Sequence, residues 1–296
     1  GLTAKEYIAT AFFAHSTRIL RDTSEILGKK DAYKKYNKLL EKIKESFNQE
    51  FVTPNGRVSE STQTAYVLAL HFDLLKEKDR KKAAAVLADY VAERDGHLTT
   101  GFVGTPYLNH VLSDNGYLDL AYQLLEREDY PSWLYPINKG ATTIWEHWDG
   151  IKEDGSFWPA DMNSFNHYAY GAVADWIYEV VGGIKTDINN SGFKKFTIAP
   201  RPGGSLKNAR TTFDSMHGKI VSNWEINDGQ MHLEIEVPVN TEAEVILENV
   251  KTESIKEDNK IISEDTAGIK KIEKNNKQLM IKVGSGRYQF SCKLND

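Results

Sequence analysis

The run Gly182-Gly-Ile-Lys-Thr-Asp-Ile-Asn-Asn-Ser-Gly192 marks the place where this 296-residue chain changes character. Ahead of it, apolar residues recur at helical spacing: Ile8, Ala11, Phe12, Ile19 and Leu20 in one segment, then Leu39, Leu40, Ile43 and Phe47 in the next. Behind it they alternate with period two, as in KKFTIAP (194–200), GKIVSNWEI (218–226), HLEIEVPV (232–239), EAEVILENV (242–250), QLMIKVG (278–284) and RYQFSCKL (287–294). The reading is a mainly α domain over residues 1–187 and a separate all-β domain, a C-terminal β-sandwich, over 188–296.

In the α half the same spacing predicts further helices over Thr64–Leu75, Lys81–Arg94, Tyr107–Leu112, Tyr117–Glu126, Ala141–Trp148 and Ser164–Val181, about eight in all. Connections such as LGKKD, KEKD and SDNG are short, so neighbours form antiparallel helical hairpins. Gly28 and Gly116 stand where helices end or turn. In the β half, Asn227-Asp228-Gly229 predicts a type I′ hairpin, and Glu234 and Glu236 fall on the wet face.

Composition narrows the function classes. With 40% apolar and 11% aromatic residues the chain can bury a real core. A net charge of -5 argues against nucleic acid as a partner. No apolar run is long enough to cross a bilayer, so no membrane partner is expected and the chain reads as soluble, its compartment open. A single cysteine, Cys292, precludes an internal disulfide and a cysteine-rich zinc site. The histidines form no HExxH pair, no serine sits in a GxSxG elbow, and GFVGTP (101–106) is no dinucleotide loop, so no cofactor or metal is expected.

Five of the six tryptophans (133, 145, 148, 158 and 176) fall between residues 133 and 176. Two explanations compete: packing of large rings in a core, or docking of flat sugar faces on aromatic surfaces. The same stretch carries groups that bind hydroxyls. In GATTIWEHWDG (140–150), Glu146 stands between Trp145, His147 and Trp148, surroundings that desolvate a carboxylate and suit acid or base work. Its alternative is a glutamate facing water or a cation. Asp149, before Gly150, reads as a turn residue. Asn163, Asn166, His167 and Tyr170 follow one another at helical spacing and are expected on one face of the last helix, bordering a cleft or simply solvent. TQTAYVLAL (62–70) and HLTTGFVGTPYL (97–108) carry hydroxyls and amides that cap helices or line the same cleft.

Four segments, GHLTTGFVGTPYL (96–108), YPSWLYPINKGATTIWEHWDG (130–150), NSFNHYAYGAVADWIYEVVGGI (163–184) and FKKFTIAPRPGG (193–204), resemble the bacterial α-L-rhamnosidases. That is an inverting glycoside hydrolase family built on an (α/α)6 barrel. The resemblance implies an incomplete barrel, or toroid, in residues 1–187, followed by the family's β-sandwich. It implies hydrolysis of terminal non-reducing α-L-rhamnose from glycosides or polysaccharides. It places the general base on Glu146 and sugar contacts on His167 and Trp133; Trp145 and Asn166 are further substrate-binding candidates from the residue pattern itself. The family's general acid lies in a DCPxRDER-like motif that these residues do not contain. The chain is therefore expected to be a C-terminal fragment, inactive alone, whose open edge, with Ile8, Phe12 and Phe13, favours self-association. Two other functions remain open: a non-catalytic carbohydrate-binding or scaffold module, and an (α/α)6 glycosidase of different sugar preference.

Overall fold

The computed structural model describes residues 2–186, 190–274 and 278–295. It divides into two compact units, residues 1–173 and 174–296. The boundary expected at residues 187/188 lies outside the described residues.

The first unit is a set of helical hairpins. Helix α1 (Lys5–Ile26) buries Tyr7, Ala11, Ala14 and Thr17, a stripe of mostly small residues that brings its backbone close to its neighbours. It ends at Gly28, whose φ of 65° allows the Lys29 amide to bond the Ser24 carbonyl at 2.8 Å. Helix α2 (Lys30–Phe51) returns along it and buries Leu40, Ile43 and Phe47. The Tyr7 ring meets Phe47 and Phe51 edge-on, and its hydroxyl donates to the Ala65 carbonyl at 2.7 Å.

Helix α3 (Gln63–His71) is buried on every side from Gln63 to Leu70, as an inner-layer helix must be. Thr62 caps it by accepting the Ala65 amide. The buried Gln63 amide donates to the carbonyls of Tyr90 and His97 and accepts from the Thr99 amide at 2.7 Å. Thr62 and Gln63 are thus structural groups, which resolves the choice between cap and cleft for that motif. Helix α4 (Glu77–Ala92) pairs with α3, and α5 (Thr105–Asp114) with α6 (Leu118–Glu126). Because α1 also touches α3 and α3 touches α5, these alternate helices form an inner layer with α2, α4 and α6 outside. The hairpin arrangement expected from the short connections is present.

Beyond α6 the sequence reading and the structure part. A short helix α7 spans Leu134–Asn138, where none was expected. The helix expected over Ala141–Trp148 does not form, and the one expected from Ser164 begins only at Tyr168. It then runs as a 3-10 turn (Tyr168–Ala172), one α turn (α8, Val173–Trp176) and a π turn (Ile177–Val181). Instead the Glu146 amide bonds to the Ser164 carbonyl and the His167 amide to the Ile144 carbonyl.

The second unit holds two sheets, ordered β1-β2-β6-β10-β9 and β3-β4-β5-β11-β7-β8. Strands β4 (Gly218–Asn227) and β5 (Gln230–Val237) are joined by Asp228 and Gly229, with φ of 49° and 72°, the type I′ turn expected of Asp-Gly. Alternate residues of β4, β5, β10 (Gln278–Val283) and β11 (Gly286–Lys293) fill the core, among them Trp224, Ile235, Ile281 and Phe290. The Trp224 indole N–H donates to the Val181 carbonyl at 2.7 Å. Strand β2 (Lys195–Ile198) runs parallel to β6 (Glu242–Glu248). Three other strands carried too little alternation to be expected: β1 (Ile184–Thr186), β3 (Asn208–Ser215) and β9 (Ile269–Lys274). A small hairpin, β7 (Lys256–Glu257) and β8 (Lys260–Ile261), completes the second sheet. Burial pushes the Cys292 thiol up to about 11, so it is an inert core residue.

Candidate active site

Two extended segments meet in the first unit. The Glu146 amide donates to the Ser164 carbonyl at 2.8 Å, and the His167 amide to the Ile144 carbonyl at 2.8 Å. The Thr143 hydroxyl donates to the Phe165 carbonyl. This antiparallel pairing corrects the expected helical face: Asn163 and His167 are extended, Asn166 lies outside any helix, and only Tyr170 is on a helical turn. It also brings Glu146 and His167, distant in sequence, onto adjoining strands of chain.

The Glu146 carboxylate is half-buried, and its Oε2 accepts the Ser164 amide at 2.9 Å. A charge-assisted bond of this kind fixes one oxygen. Among the described residues, Oε1 has no hydrogen-bond partner. The half-buried His167 ring stacks on Phe102 at 4.8 Å and 14°, and its Nδ1 is buried with no partner. Asn163 donates to the Gly150 carbonyl at 3.1 Å, while its Oδ1 is also buried and unpaired. The exposed Asn166 bonds through its backbone N–H to the Ser164 hydroxyl at 3.2 Å.

The tryptophans divide by exposure. Trp133 is 8% exposed and Trp145 5% exposed, so each offers a ligand little surface. The Trp133 indole donates to the Tyr170 carbonyl at 2.9 Å and its ring meets Trp148 edge-on. Trp145 packs edge-on against Phe165, with Gly150 so close that a Cβ there would lie 3.0 Å from the indole. Half-buried Trp148 stacks on Tyr170 at 3.8 Å and 18°. Half-buried Trp158 lies between the His147 ring at 4.7 Å and the Lys152 ammonium at 4.5 Å, and its indole donates to Asp149 at 3.1 Å.

Burial, with Tyr130 adding, pushes the Tyr170 hydroxyl up to about 12, so it stays a neutral phenol over the physiological range. Tyr130 is likewise raised, by burial and then by the Asp149 charge. Asp149 is therefore more than the turn residue expected, although it also sits in the turn that the Gly150 amide closes on the His147 carbonyl. Sequence reasoning missed Phe102, the stacking partner of His167, and the Ser164 amide, which no side-chain pattern announces.

Residues 1–181 match the family model described as the bacterial alpha-L-rhamnosidase 6 hairpin glycosidase domain, and residues 183–262 the corresponding C-terminal domain. The chain belongs to the bacterial α-L-rhamnosidase family. An α-L-rhamnosidase of Formosa agariphila is 42% identical over 99% of this chain and 31% of its own length. Another, from Streptomyces avermitilis, is 45% identical over 82% of this chain and 23% of its own. The crystal structure of a Streptomyces avermitilis α-L-rhamnosidase complexed with L-rhamnose superimposes with a TM-score of 0.91 at 40% identity, over 98% of this chain and 27% of that one. A Dictyoglumus thermophilum α-L-rhamnosidase gives 0.83 at 34% identity. This rhamnosidase-family chain thus spans under a third of the length of these curated relatives. Its architecture is theirs, a hairpin helical domain followed by an all-β domain. Among the described residues, no helix is long and apolar enough to cross a membrane.

Proposed function

We propose that this chain supplies the water-activating side of an inverting α-L-rhamnosidase site, with Glu146 as general base. The observation that carries the reading is the Ser164 amide on Glu146 Oε2, which orients the carboxylate and leaves Oε1 to take a proton. In the reaction, a water attacks the anomeric carbon of a terminal α-L-rhamnose as Glu146 Oε1 removes its proton. The glycosidic C–O bond breaks on the opposite face, and a carboxylic acid outside residues 1–296 protonates the departing oxygen. Configuration inverts, with the two carboxyl groups separated by about 6.5–9.5 Å so that the water fits.

His167, its ring steadied by Phe102, offers its imidazole to a sugar hydroxyl, and the exposed Asn166 a side-chain amide. Trp133 and Trp145 act through packing, Trp133 fixing the Tyr170 backbone and Trp145 bracing Phe165, the neighbour of the Ser164 that holds Glu146. The likeness to an enzyme solved with L-rhamnose bound supports rhamnose as the sugar. The test is proton NMR of the first anomer released from an aryl α-L-rhamnoside by an active polypeptide containing this chain. β-L-rhamnose as the initial product fits the proposal, and α-L-rhamnose rejects it. A rhamnose-binding module without hydrolysis would release neither.

A further inference from the structure

A groove of about 580 Å³ in the second unit lies across the outer face of the β3-β4-β5-β11-β7-β8 sheet, and none of the residues discussed above as catalytic lines it. That volume is within the range of ligand sites, about 300–1,000 Å³. Strand register explains its lining. Asn208, Glu225, His232 and Ser291 form one cross-strand row, because 208 pairs with 225, 225 with 232, and 232 with 291. Arg210, Asn223, Glu234 and Gln289 form the next. The β7–β8 turn, with Asp258 and Asn259 both at positive φ, walls one end.

These groups are left unused by the fold. Elsewhere on this unit several outward carboxylates are ion-paired: Glu236 with Arg287 at 3.2 Å in the adjoining row, Glu244 with Lys282 at 2.9 Å and Glu242 with Lys270 at 2.5 Å on the other sheet. In the groove, Glu225 and Arg210 have no side-chain hydrogen bond or ion pair among the described residues. Glu234 has only the Asn223 amide at 3.4 Å, and Asn223 Oδ1 is buried with no partner. Trp224, Leu233 and Phe290 line the floor but keep their rings and branches in the core. The cleft therefore offers carboxylates, amides, an imidazole and a guanidinium, with no apolar anchor of the sort that dominates protein interfaces.

We propose that this groove is a second, non-catalytic saccharide site, taking a neutral oligosaccharide chain. A polyol presents donors and acceptors in equal measure, which matches amides beside carboxylates and one guanidinium. Three carboxylates, Glu225, Glu234 and Asp258, against the one guanidinium of Arg210 disfavour an anionic ligand. A metal ion is disfavoured because no three ligand groups of the groove converge, among the described residues. The site would hold a substrate chain to the enzyme through sugars other than the one being cleaved.

The test is amide NMR of the whole isotope-labelled chain, titrated to millimolar concentration with neutral hexasaccharides of arabinose, galactose, glucose and rhamnose, and separately with calcium chloride. Saturable shifts at residues 208–210, 223–225, 232–234 and 289–291 with at least one saccharide are expected. The R210A/E234Q variant should weaken that binding at least tenfold while keeping its unfolding temperature, and wild-type spectra alone already decide whether the groove binds. Silence of these signals toward all four saccharides, movement with calcium only, shifts confined to residues 133–170, or an unchanged midpoint in the variant would overturn the proposal. No outcome depends on hydrolysis, so failure here leaves the role of Glu146 untouched.

Discussion

Glu146 and Ser164 are joined twice: the Glu146 amide donates to the Ser164 carbonyl at 2.8 Å, and the Ser164 amide donates to the Glu146 carboxylate at 2.9 Å. The first bond belongs to the backbone and survives any substitution at 146 except proline. The second depends on the side chain. Glu146→Gln keeps an acceptor and should leave the urea midpoint unchanged, whereas Glu146→Ala strands the Ser164 amide and should cost about 1 kcal/mol. Equal midpoints for the two variants would show that the side-chain bond contributes nothing.

Close approach at Gly150 makes a second prediction. A Cβ there would lie 3.0 Å from the Trp145 ring, 3.1 Å from Phe165 and 3.3 Å from the Asn163 amide. All three belong to packed groups, so Gly150→Ala should destabilise the first unit by about 1–3 kcal/mol and blunt the near-ultraviolet dichroism of Trp145. An unperturbed spectrum and midpoint would mean that the segment gives way freely.

Trp133→Phe tests the packing role. It keeps a ring but removes the N–H held by the Tyr170 carbonyl, a buried bond of 2.9 Å. The stranded carbonyl should lower stability by about 1–3 kcal/mol. Loss of rhamnose affinity with no change in stability would instead place Trp133 in contact with sugar.

How much of this was legible in the sequence follows from which interactions are local. Leu40, Ile43 and Phe47, or Asp228-Gly229, announce their elements because the helical stripe and the turn depend on residues a few positions apart. Glu146 and His167 stood out because ionisable groups among aromatic rings are unusual. The segments holding them read as helices by spacing, since Thr143, Ile144 and Glu146 bond to a stretch about twenty residues away and a periodicity argument cannot see that partner. Phe102 was invisible for the same reason: its value lies in a stack with His167, more than sixty positions on.

His15 gives the pH prediction. Burial, with Arg18 beside it, holds its imidazole below the ordinary 6.5, and its ring stacks on Phe72 at 4.3 Å. The unfolded chain then takes up a proton that the folded chain resists, so stability falls as pH drops below 6.5 and is unaffected by this group above it. The difference between the urea midpoints of wild type and His15→Phe should be constant above that pH and change below it, the variant being less acid-sensitive. Parallel curves would contradict this.

Helix α1 leaves Phe13 51%, Ile19 50% and Leu20 47% exposed, while Ile8 and Phe12 are half-buried, Phe12 against Phe72. Of the three residues expected at an open edge, only Phe13 is mostly uncovered. We expect this apolar strip to drive self-association of the 296-residue chain, detectable by sedimentation velocity. Phe13→Glu with Leu20→Glu should shift the distribution to monomer, and a wild type already monomeric at high concentration would refute the expectation.

The central claim is that the carboxylate at 146 activates the water. Its most direct test is kcat of Glu146→Gln toward an aryl α-L-rhamnoside, in an active polypeptide containing this chain, alongside its unfolding midpoint. A fall of at least about 10²-fold in kcat with an unchanged midpoint is the predicted result. Turnover at the wild-type rate would contradict the account.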